Sequence, residues 1–162
     1  MLTITAEQVV MLYPTAYLTL MAIPLIYIDL KERRLPNKIT LPFMAIALVA
    51  NITAGIISGQ WTNSLWSVLV AFFFGVAGTI MSFRGWIGMG DVKLSIGMFL
   101  VTGYFSLWFS LALFLAVLLV MAVAISIIAW LNRTGRSRRE TLALGPYLIG
   151  AFLPIVAVAF IA

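Results

Sequence analysis

The sequence predicts an all-α fold: a polytopic membrane bundle of about six transmembrane helices, N-out and C-out, forming a single domain over residues 1–162. Three observations carry this. Hydrophobic residues make up 64% of the chain and charged residues 9%, where a soluble domain has roughly a quarter charged. Mean hydropathy is +1.14. Apolar runs also recur near the roughly 20 residues that a bilayer crossing needs, with short polar connections between them and no length left for a second soluble domain.

The first span is expected over residues 8–28, where Pro14 and Pro24 are tolerable if neighbouring helices satisfy the freed carbonyls. Asp29 follows it. A polar turn with Lys31, Glu32, Arg33, Arg34 and Lys38 around Pro36-Asn37 comes next, and then a second span over 39–58. An uncharged loop leads to a third span over 65–83, with Trp61 and Trp66 suited to an interfacial belt. Arg84 and a glycine-rich stretch, 85–90, introduce Asp91 and an apolar run to Val101 that is short for a full crossing. Gly103 is expected to break the chain before a long span over 105–131. A basic loop with Arg133, Arg136, Arg138 and Arg139 precedes a last span over 142–162.

Charge placement tests the count. If all six segments cross, every lysine and arginine falls on one side, which the positive-inside rule makes cytoplasmic. If the fourth failed to cross, the arginine loop would face outward, so the fourth is counted as spanning. The net charge of +5 is then an orientation signal meeting anionic lipid, and no nucleic-acid partner is expected. The N-terminus carries no positive charge before its first apolar run and does not read as a cleavable secretory signal.

Cysteine and histidine are both absent. That removes disulfides, a cysteine nucleophile, the commonest general base and the commonest metal ligand, so chemistry must rest on carboxylates, lysines, hydroxyls or backbone groups. No metal or other cofactor is expected. The chain holds two aspartates, Asp29 and Asp91, each where an apolar segment meets a polar loop. The predicted topology puts both on the same side at similar depth. An acid within a membrane segment marks a functional site by default. Two carboxylates about 4 Å apart at an effective dielectric near 20 repel by about 4 kcal/mol. Such a pair tends to share one proton, so that one member takes a proton from an attacking water while the other donates to the scissile carbonyl. A purely local reading also exists, in which Asp91 caps the fourth helix and Asp29 pairs with Lys31 or Arg33. Gly88 and Gly90 fit the paired reading because residues without a Cβ let backbone approach backbone. Tight helix packing is their alternative use.

Asp29-Leu30-Lys31-Glu32-Arg33-Arg34-Leu35-Pro36-Asn37 resembles the first signature of the type IV prepilin peptidases, an aspartate followed six residues later by a Leu-Pro-Asn turn. Gly88-Met89-Gly90-Asp91-Val92-Lys93 resembles their second, Gly-x-Gly-Asp, and Gly145-Pro146-Tyr147 is similar to a late Gly-Pro-Phe element. The resemblance implies a plasma-membrane aspartic endopeptidase that cuts the short basic leader from prepilins or pilin-like proteins at the cytoplasmic face, with Asp29 and Asp91 catalytic. Pro36, Asn37, Gly88, Gly90 and Lys93 would shape the site or bind substrate. Lys93 also suits a snorkelling anchor, and Glu32 and Glu140 are conceivable contacts for a basic leader. The bifunctional members carry an added N-terminal, usually cysteine-bearing methyltransferase region; with no cysteine and a first span that starts almost at once, peptidase activity alone is expected. This short form resembles members serving tight-adherence pili or archaeal filaments. The presenilin-type proteases share Gly-x-Gly-Asp, but their Tyr-Asp and Pro-Ala-Leu motifs are not found here. The alternative from another class is a small ion or proton-coupled transporter using the same two acids.

Overall fold

A computed structural model describes residues 5–32, 34–85, 87–133 and 144–161. Among them it contains six helices and no strand: α1 (Ala6–Glu32), α2 (Asn37–Ser58), α3 (Trp61–Phe83), α4 (Met89–Phe105), α5 (Leu107–Arg133) and α6 (Gly145–Ile161). Helices α1, α2 and α3 are each long and apolar enough to cross a membrane. The fold is an all-helical membrane bundle.

Which face of α3 turns inward follows the logic of lipid rather than water. Lipid tails give apolar side chains no reason to hide, so small residues that allow close backbone approach go to the contacts instead. On α3 the buried positions are Ser64, Ser67, Ala71 and Gly75, while Leu69, Phe72, Phe73 and Phe83 face out. On α1, Leu18, Ala22, Leu25 and Asp29 point in and Leu20, Ile23 and Tyr27 point out.

The organising element is α4, which packs against all five other helices. Ten of its residues are buried, so it has no outward apolar face of any width. At 17 residues it is about 25 Å long, short of the roughly 30 Å hydrocarbon layer. A central position explains how a short helix is tolerated, because neighbouring helices bury its length from Val92 to Tyr104. Its seam with α3 is built on small residues: a Cβ on Gly75 would meet Ile96 at 2.9 Å and one on Gly78 would meet Val92 at 3.1 Å.

Several boundaries differ from the sequence expectation. Asp29 lies inside the last turn of α1, which continues to Glu32, and Asp91 is the third residue of α4 rather than its cap. α2 and α3 begin earlier than expected, at Asn37 and Trp61. Gly103 is no break. It is buried within α4, where a Cβ would stand 2.9 Å from the Cα of Ser67, and the helix ends two residues later at Phe105, before extended Ser106. Arg33, Trp86, the start of the last expected span and the basic stretch with Arg136, Arg138, Arg139 and Glu140 lie outside the described residues.

The two ends of the bundle are chemically different. At one end Tyr104 donates to Glu7 at 2.9 Å and shares a 3.0 Å hydrogen bond with Ser58, joining α4 to the start of α1 and the end of α2. Asn51 lies between, donating to Ser67 and to the Leu100 carbonyl while accepting from Ser64. This buried network fixes the register of α2, α3 and α4, since each of its polar groups would be costly if left unmet. The other end holds the aspartates.

Candidate active site

Four separated pieces of chain meet at that end: the last turn of α1, the connection into α2, the first turn of α4 and the first residue of α6. Asp29 is 3% exposed, and its Oδ2 accepts the Gly145 N–H at 2.8 Å. The amide is available because the first N–H groups of a helix have no partner within it. Lys31, offered by the local reading as an ion-pair partner, places its ammonium 5.8 Å from the Tyr27 ring centroid.

Gly88 is the N-cap residue of α4, with φ −70° and ψ 139°. It supplies no capping side chain. Asp91, three residues on, reaches back instead, and the Gly88 amide lies in hydrogen-bonding range of its carboxylate. This is one half of a capping box. The geometry needs glycine for space, because a Cβ on Gly88 would come 2.8 Å from Asp91 Oδ2. Asp91 Oδ1 is buried and has no hydrogen-bond partner among the described residues. Capping therefore accounts for one side of this carboxyl group and leaves the other unexplained. Asp29 stands near enough for its charge to act on Asp91. The paired acids expected from the sequence are thus brought to one end of the bundle.

The expected site-shaping residues converge there too. Pro36 is the N-cap of α2, and its carbonyl accepts from the Ile39 and Thr40 amides at 3.0 and 3.2 Å. Lys93 Nζ donates to Asn37 Oδ1 at 2.8 Å, tying the second motif directly to the first. A Cβ on Gly90 would meet Leu35 Cβ at 2.6 Å and Leu35 O at 2.9 Å, so the connection into α2 lies against the start of α4. A cavity of about 370 Å³ runs beside this turn between α3, α4 and α5, with Gly78, Met81, Ile87, Val92, Ser95 and Phe114 in its almost wholly apolar lining.

Two residues were missed as site members. Leu35, 8% exposed, touches both glycines that flank the acids: Gly90, and Gly145, whose Cβ would meet Leu35 Cδ2 at 3.2 Å. Its signal was present, as the lone apolar side chain between a charged run and Pro36. Gly145 was noticed only as part of a late motif, with no role given to its amide. Among the described residues no group of three or more acidic, histidine or cysteine side chains could hold a metal ion.

Residues 16–130 match the type IV leader peptidase family. The chain belongs to that family. It is therefore a peptidase of the leader-peptidase type, and a membrane protein. The matched stretch contains both aspartates, the Leu35-Pro36-Asn37 connection and Lys93, and stops short of Gly145. No match is found among curated proteins or among solved structures.

Proposed function

We propose that this leader peptidase is an aspartic endopeptidase that removes the short basic leader of type IV prepilins or pilin-like proteins at the cytoplasmic face of the plasma membrane. The observation that carries the proposal is the meeting of the chain's two aspartates at one end of the bundle, with a buried oxygen on Asp91 that has no partner among the described residues. A carboxyl oxygen placed in this way can accept from a water or, when protonated, donate to a peptide carbonyl.

In the reaction proposed, one carboxylate takes a proton from a water held between the acids as the water oxygen bonds to the scissile carbonyl carbon. The other, protonated, gives its proton to the carbonyl oxygen, producing a neutral diol. The carboxyl that took the water's proton then gives it to the leaving amide nitrogen, the C–N bond breaks, and a diol hydroxyl returns its proton to the other carboxylate as the diol collapses to the new carboxyl terminus. Proton positions belong to the pair, which holds one proton at the start and one at the end. The apolar cavity beside α4 suits the hydrophobic segment that follows a leader, and exposed Glu32 suits a basic one. All six helices cross in this reading, with the basic connections cytoplasmic and both termini outside.

The test is co-expression with a candidate prepilin, reading leader loss as a gel shift. Wild type should process it, and Asp29→Asn and Asp91→Asn, which keep shape and remove the acid, should each reduce processing by at least about a thousandfold. Normal processing by either variant would refute the two-aspartate reading. Ion flux in liposomes without cleavage would favour a transporter.

A further inference from the structure

Asp29 takes a hydrogen bond from a group 116 residues along the chain, the Gly145 N–H. Gly145 opens α6, and Pro146 next to it has no N–H to offer. The lack of a side chain at 145 matters for room. Positive φ values occur among the described glycines at Gly59 and Gly85, not here. A Cβ on Gly145 would stand 2.7 Å from Asp29 Oδ2 and 3.3 Å from its Cγ. What would have to give way is chiefly the tip of the Asp29 side chain, with a few tenths of an ångström from the flexible end of Leu35 at 3.2 Å, not the packing of α6. Gly150, in the same helix, faces open space with nothing within 4 Å of an added Cβ. The site thus has one acid anchored from α6 and one with an oxygen that meets no partner among the described residues.

We infer that Gly145 is a positioning residue of the peptidase site: its N–H, with the room its missing side chain leaves, fixes the Asp29 carboxylate at the end of the bundle where Asp91 presents its unpartnered oxygen. The inference rests on the two-aspartate reading above. Gly145 acts through Asp29 and touches no substrate, so its loss lowers turnover and leaves binding nearly unchanged. A hydrogen bond to a charged group is worth about 10- to 100-fold in a rate that depends on it.

The experiment uses the full chain in lipid nanodiscs with a prepilin that the wild type cleaves, measuring kcat, KM and the thermal midpoint. One variant carries glycolic acid at position 145, introduced by cell-free translation, which replaces the N–H with an ester oxygen and adds no bulk. Gly145→Ala and Gly150→Ala accompany it, with Asp29→Asn and Asp91→Asn as reference. The ester should lower kcat about 10- to 100-fold with KM within about threefold. Gly145→Ala should lose at least as much, and Gly150→Ala should match wild type. Should Gly145→Ala fail to fold, the ester decides. An ester variant with kcat within twofold of wild type, or a loss carried entirely by KM, overturns the inference while inactive asparagine variants leave the two-aspartate reading standing. Active asparagine variants would instead bring down that reading, and this inference with it.

Discussion

Gly90→Ala is the most informative single perturbation of the site, because it moves a connection without touching either acid. The added methyl would stand 2.6 Å from Leu35 Cβ and 2.9 Å from Leu35 O. Carbon atoms pack at about 3.5 to 4.0 Å, so relief requires a displacement of about 1 Å. Neither Leu35 atom is the end of a flexible side chain, so the movement must be taken by the backbone at 34–36 or by the start of α4. Either route disturbs the 2.8 Å hydrogen bond from Lys93 to Asn37 and the contact of Leu35 with Gly145. Overpacking of this kind costs about 1–3 kcal/mol of stability. A misplacement of about 1 Å at a reacting centre costs about 100-fold in rate. We expect Gly90→Ala to fold with a lowered thermal midpoint and to lose about two orders of magnitude in kcat/KM, measured on purified enzyme with a prepilin substrate. Activity within threefold of wild type would show that the approach of Leu35 to α4 does not set the site.

Two further predictions concern how the helices are joined. Lys93→Met and Asn37→Ala each remove one partner of the same hydrogen bond, so each should lower activity about three- to tenfold and the double variant should lose no more than the worse single one; additive losses would mean that Lys93 acts elsewhere. Asn51→Leu strips the shared partner from Ser64, Ser67 and the Leu100 carbonyl in the middle of the bundle, away from the aspartates, so it should destabilise by about 1–3 kcal/mol while leaving kcat per folded molecule unchanged; an unaltered thermal midpoint would contradict the role given to this network.

The aspartates were legible because charge is scarce here, and an acid set beside apolar segments stands out against its surroundings. The helices were legible for the same reason, from the length of each run. Gly103 was misread because glycine usually punctuates a chain; what fixes its use is the backbone of Ser67 on another helix, which no local pattern reports. Lys93 had two readings, snorkelling anchor or substrate contact, and the structure gives it a third, a hydrogen bond to Asn37 from 56 residues away. Leu35 and Gly145 escaped for a related reason, since their parts are played against partners distant in sequence. The inward faces of α1 and α3 were hidden because lipid lets large apolar groups stay outside, so hydrophobicity ceases to mark the core.

The amide that restrains Asp29 belongs to α6, 116 residues further along the chain. During biogenesis the two acids and the connection into α2 are all produced well before α6, and the nascent protein lacks that restraint until α6 has joined the bundle. Assembly of the proposed centre thus waits on α6, so a nascent copy without that helix is poorly equipped to cut its neighbours.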